Sequence, residues 1–163
     1  MSLIRSTRHF GRLSAVAGPI TVDGDGWARL FLAEELKPHV PDGVRELFDV
    51  ARGCLLYGWF FNPLFRLGEE QLFRVAEAAA RERYHELGGP KKRPTFAASI
   101  AWLTNEGAIK AGDEIWWDAT RELRNHSSHP ERHVAMPPGQ VLRTLSMTAH
   151  RVNRLFLRDP RAP

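Results

Sequence analysis

Ten consecutive residues, Arg121-Glu122-Leu123-Arg124-Asn125-His126-Ser127-Ser128-His129-Pro130, gather guanidinium, carboxamide, hydroxyl and imidazole groups within one to two helical turns. Imidazole changes charge near neutrality and so moves protons, while a guanidinium grips two oxygens of an oxyanion at once. Asn125 and His129 are four residues apart and share a face if the stretch is helical. Arg124 and His129 are five apart, about 140° around an ideal helix. They converge only if the last turn loosens or a partner brings them together. Pro130 supplies a reason for loosening, because the residue before a proline is pushed out of the α region. His129 is then expected at the helix C-terminus, where unpaired carbonyls favour its protonated form.

The pattern Arg124-Asn125, three further residues and then His129, at the end of a helix in an all-helical chain, resembles the signature of the HEPN superfamily. That signature is an Arg followed four to six positions later by His, often with a polar residue directly after the Arg. The resemblance covers roughly residues 44–158. It implies an up-and-down bundle of four to five helices and a metal-independent endoribonuclease, which uses the ribose 2′-hydroxyl as nucleophile and leaves a 2′,3′-cyclic phosphate. On this chain His129 would be the general acid or base, Arg124 would stabilise the phosphorane oxygens, and Asn125 would position His129 or the phosphate. The family site is usually composite, which implies a homodimer through the motif-helix face, with Arg124 of one subunit beside His129 of the other. The family also implies toxin–antitoxin, phage-defence or stress contexts, with an antitoxin as a partner. Many HEPN domains bind nucleotides or partner proteins without cleaving anything, so a non-catalytic binding or interaction module is the alternative expectation.

Nearby groups extend the candidate site. Arg121, His126 and Ser128 stand in the same stretch, and Lys91-Lys92-Arg93 is the densest basic run in the chain. All six are candidate contacts to RNA or a nucleotide, the run through phosphates. His126 is a second imidazole that competes with His129 for the functional role. The bland reading stays open beside this one: Arg121 and Arg124 pair with Asp118, Glu122 or Glu131, while Asn125, Ser127 and His129 only close a helix end. His126, His129 and His133 have ligand-like spacing, but they straddle a helix end and a proline, so no metal is assigned. No cofactor is expected, since the chain has no Gly-rich phosphate loop.

Size and composition bound these readings. The 163 residues suffice for one domain with a core, and 43% hydrophobic with 26% charged residues is ordinary globular composition. A net charge of +4 suits a surface that meets phosphates, and suits many proteins that never do. A single cysteine, Cys54, excludes an internal disulfide framework. With no signal-like segment and no run long enough to span a bilayer, a cytoplasmic location and no membrane contact are the expectation.

The elements that must position the motif follow from periodicity. Residues 1–43 read as an N-terminal arm. In it Ile20-Thr21-Val22 and Trp27 to Leu32 form two short strands around Asp23-Gly24-Asp25-Gly26, and Pro38, Pro41 and Gly43 form a hinge. Residues 44–158 form the helical bundle and 159–163 a disordered tail. The first bundle helix runs from about Val44 to Phe61. Its second half is apolar nearly all round, which fits either the centre of the fold or an interface with a second copy. The next covers Leu64 to Leu87, with Leu72, Val75, Ala76, Ala79, Arg83 and Leu87 buried. Thr95 caps a short helix from Phe96 to about Asn105, and Gly107 ends it. Asp113 caps the motif helix, whose Ile115, Ala119 and Leu123 form an apolar row flanked by Trp116 and Trp117. Of the two indoles one is expected in the core, and the other is a candidate platform for a base. A last helix opens at Pro137-Pro138 and runs to about Leu157 on a stripe of Val141, Leu145, Thr148, Val152 and Leu155.

Overall fold

The computed structural model describes residues 23–127 and 137–157, with His126 and Ser127 described by backbone alone. Among the described residues six helices account for the regular structure: α1 Gly24–Leu32, α2 Asp42–Tyr57, α3 Pro63–Glu86, α4 Phe96–Asn105, α5 Glu114–Ser127 and α6 Pro138–Phe156. No strand occurs among the described residues. The protein is mainly α, and α2 to α6 fall close to the five helices expected from periodicity. Helix α3 is the central element, packed against α2, α4, α5 and α6.

The N-terminal hairpin is where the expectation fails. The segment read as its second strand, Trp27 to Leu32, is the body of α1. Asp23 does not sit in a hairpin turn; it caps the helix, its carboxylate accepting from the Gly26 N–H at 2.7 Å. Trp27 and Phe31, four apart, both point into the core. That spacing belongs to a helix, and β-propensity of the aromatic residues yields to the burial it allows. Trp27 packs on Phe31, Trp59 and Phe65 and donates its indole N–H to the Leu56 carbonyl at 3.0 Å. The other expected strand, Ile20 to Val22, lies outside the described residues.

The stretch after α1, expected as a hinge, is instead fastened to α6. Leu36 and Val40 are buried. Asn153 accepts from the Lys37 N–H at 2.8 Å and donates to the Glu35 carbonyl at 3.1 Å, which occupies both ends of its carboxamide. Residues 27–40 therefore share one hydrophobic core with α2 to α6.

Two helices approach closely at Gly68, where a Cβ would run into the Leu55 side chain of α2. The absence of a side chain there lets α3 lie against Ala51 and Leu55. Helix α2 stops at Tyr57, and Gly58 to Asn62 turn the chain so that Phe65 comes to rest against Gly58. Phe60 and Phe61 thus fall outside the helical register, and with Tyr57 they are exposed, Phe60 to 80%. Their exposure does not fit the reading that puts this whole apolar half at the centre of the fold; the other reading, an interface with a second copy, concerns a chain that is not part of the structure. The α3 stripe is as expected, including Arg83, whose side chain is buried and whose guanidinium pairs with Glu86 at 2.8 Å. Thr95 caps α4 through its hydroxyl, which accepts from the Ala98 N–H. Gly107 follows α4 at φ 75°, a conformation that favours glycine.

Candidate functional site

Helix α5 turns a different face to the core than its apolar row suggests. Asp113, Trp117, Thr120 and Arg124 recur at spacings of four, three and four, so they lie along one side of the helix. Trp117 is 2% exposed and Thr120 is buried, its hydroxyl donating back to the Trp116 carbonyl at 2.8 Å. Ile115, Ala119 and Leu123 run along the opposite side, and Ile115 is 77% and Leu123 53% exposed. One buried indole covers more apolar area than either aliphatic side chain, so α5 orients on Trp117. Trp116, half-buried, meets Trp117 edge to face at 5.0 Å.

Arg124 lies on the inward side, at the last full turn before the chain continues toward His129. Its guanidinium reaches Glu77 of α3 at 3.0 Å, and Arg124 keeps 43% of its side chain exposed. Arg81 reaches the same carboxylate at 2.9 Å. Two guanidiniums thus share one carboxylate at a half-exposed position. Asn125 is exposed on the neighbouring side of α5. Arg121 pairs with Asp118 at 3.2 Å and lies 3.5 Å from Glu122, as the bland reading of the motif had it. Arg124 pairs with Glu77, a residue 47 positions earlier that belongs to another helix; its pairing with Glu131, which the bland reading also offered, lies outside the described residues.

Ser128, His129 and His133 lie outside the described residues, and of His126 the helical backbone alone is described. The pairing of Arg124 with His129 therefore lies outside the described structure. Lys91, Lys92 and Arg93 are exposed in the α3–α4 loop, where the buried Tyr84 anchors the backbone by accepting from the Lys91 N–H at 2.7 Å. This loop leaves α3 after Glu86, nine residues beyond Glu77, or about 14 Å along the helix axis. Among the described residues no group of three or more His, Cys, Asp and Glu stands close enough to hold a metal.

Two features escaped the sequence reading. Glu77 and Arg81 are four apart on α3 and pair with each other, and the Glu77 carboxylate is also the anchor of Arg124. Asp113 was expected as a helix cap. Its carboxylate instead receives Arg151 and Arg154 of α6, the latter at 3.2 Å. The basic character of α6 was legible, but the partner of two of its arginines stands some forty positions upstream, beyond the reach of any local pattern.

No helix among the described residues is long and apolar enough to cross a membrane. No protein-family model matches this chain, and neither a curated protein nor a solved structure is significantly similar to it.

Proposed function

We propose that this chain is a HEPN-like endoribonuclease that cleaves RNA without a metal. One observation carries the reading: the Arg124 guanidinium stands half-exposed near the end of α5, beside exposed Asn125, and shares the carboxylate of Glu77 with Arg81. A guanidinium held by a carboxylate from one side is oriented before substrate arrives and can still direct N–H groups at a phosphoryl oxygen. In this proposal Arg124 binds the scissile phosphate and stabilises charge on it. Asn125 orients the phosphate or His129. His129, four residues on, takes the proton from the 2′-hydroxyl or gives one to the departing 5′-oxygen.

The composite site implied by the resemblance needs a refinement. The exposed row centred on Ala119 lies about 140° around α5 from Arg124. A second copy seated on that row leaves Arg124 outside the contact. A twofold that joins two Arg124 sites runs instead past the C-terminal end of α5, where Asn125 is exposed.

The test is incubation of wild type, Arg124→Gln and His129→Ala with mixed RNA in EDTA, reading product ends for cyclic phosphate. Cleavage by wild type, and its loss by at least about 100-fold in both variants, is the expected result, in the range seen when a charge-stabilising or proton-transferring group is removed. No cleavage by a folded wild type refutes the proposal.

The exposed row favours one other reading, a protein-interaction module. Ile115 and Leu123 expose apolar area without contributing to the core, and contiguous exposed apolar residues mark contact surfaces. On that reading Ile115→Glu abolishes association with a partner or a second copy and leaves the melting temperature unchanged.

A further inference from the structure

A second basic site lies at the other end of α5. A cleft of about 480 Å³ opens between the α4–α5 connection and the C-terminal part of α6, lined by Glu106, Lys110, Asp113, Trp117, Arg151 and Arg154 among others. Arg151 and Arg154, one helical turn apart on α6, both converge on Asp113. One carboxylate does not neutralise two guanidiniums, and Lys110 adds a third positive charge against the second negative charge of Glu106. Arg151 is mostly buried, and its Nε is a buried donor with no hydrogen-bond acceptor. The wall formed by Trp117 is apolar, which lowers the local dielectric and strengthens the attraction of the surplus charge for an anion.

This cleft and Arg124 stand on the same side of α5. Asp113 and Arg124 are eleven residues apart, about 16 Å along the axis, a distance that a few nucleotides of single-stranded RNA span. We infer that the cleft binds a backbone phosphate of the RNA strand, away from the scissile phosphate, through Arg154 and Lys110, with Arg151 and Asp113 holding Arg154 in place. The inference rests on the ribonuclease reading for the identity of the polyanion, and on the cleft for the site.

The experiment measures binding of a short fluorescent single-stranded RNA in EDTA by anisotropy, across a salt series, together with the cleavage rate. The variants are Arg154→Gln, Lys110→Gln and Arg154→Lys, with Arg29→Gln on α1, outside the cleft, as a control for loss of one charge. Arg154→Gln and Lys110→Gln are each expected to weaken binding at least fivefold and to flatten the log–log salt dependence by about 0.7 for each phosphate no longer neutralised. In cleavage the effect falls on KM and leaves kcat unchanged, because the cleft does not touch the reacting phosphate. Arg154→Lys restores most of the affinity. Lys110 stands in a connection rather than a helix, so its variant keeps the test valid if Arg154→Gln lowers the melting temperature.

Equal behaviour of the cleft variants and Arg29→Gln overturns the inference while cleavage by wild type leaves the ribonuclease reading standing. Binding that depends on Arg154, without cleavage, supports the inference and refutes the ribonuclease. No RNA binding by wild type refutes both. Inorganic pyrophosphate, titrated into the same proteins, separates a strand site from a small-anion site. Arg154-dependent binding of pyrophosphate with no binding of RNA overturns the strand assignment.

Discussion

Glu69 and Arg124 show how the same residue types carry different consequences in different surroundings. Burial raises the Glu69 carboxyl above its ordinary value of 4.5; the hydrogen bond from Thr144 opposes the shift, nearby Glu70 adds to it, and Arg66 counters it. A carboxyl with a raised value holds its proton more tightly in the folded protein than in the unfolded chain. Below about pH 4.5 both states are protonated and the group is neutral to stability. As pH rises through the folded value, the buried charge becomes a cost, and the cost persists at neutral pH. Glu69→Gln is therefore expected to raise the melting temperature at pH 7, with the gain shrinking toward zero below about pH 4; thermal unfolding across that range checks it. Arg124 is half-exposed, and its ion pair with Glu77 is of the kind worth at most about 1 kcal/mol. Arg124→Gln is expected to cost no more than that in urea unfolding, so a large loss of cleavage in this variant reports chemistry and not collapse. Glu77→Gln removes the anchor of Arg124 and a negative charge beside the phosphate at once. On the proposed mechanism kcat falls about tenfold while KM does not rise, as expected when an orienting ion pair is removed.

Among the helices, α1 contributes most that was unexpected. Trp27→Ala empties a buried position in contact with Phe31, Trp59 and Phe65, and a cost of about 3–5 kcal/mol is expected by chemical denaturation. An arm merely laid on the surface would give under about 1 kcal/mol. The packing of α2 on α3 makes the opposite demand. Gly68→Ala inserts a methyl group where Leu55 already stands, and overpacking of this sort costs about 1–3 kcal/mol although alanine is the better helix former. Phe60 is large and apolar yet exposed on the α2–α3 turn. Phe60→Ser is expected to leave stability within about 0.5 kcal/mol of wild type, as at other exposed positions.

For the whole molecule, the shared core is the decisive feature. Residues from Trp27 in α1 to Phe156 in α6 belong to one cluster of buried side chains. Such a chain is expected to unfold in a single cooperative transition, and Trp27→Ala and Val141→Ala should shift that same transition. Two separate transitions in calorimetry would show that α1 folds independently. Arginines gather at both ends of α5, Arg81 with Arg124 at one and Arg151 with Arg154 at the other. On the proposed ribonuclease reading, RNA affinity is expected to fall steeply with salt.

Helix content, the order of α2 to α6, the caps at Thr95 and Pro137-Pro138 and the buried stripes of α3 and α6 were all legible in the chain alone. Each depends on neighbours within one or two turns, and local spacing carries that information. The hairpin expectation failed on a stretch where local spacing was itself ambiguous. A short aromatic run after a Gly-rich turn suits a strand, and only the pocket made by Leu56, Trp59 and Phe65 makes the helix the better burial for Trp27. The candidate site divides in the same way. Arg124 and Asn125 near the end of a helix were apparent from their spacing to Pro130 and from the periodicity of α5. Which side of α5 faces inward was not, because Trp117 and the Ile115 row compete for the same core and the competition is settled by the shape of α3. The partners of the arginines, Glu77 for Arg124 and Asp113 for Arg151 and Arg154, come from other helices. Ion pairs across a bundle depend on how the helices are laid against one another, and that packing exists only in three dimensions.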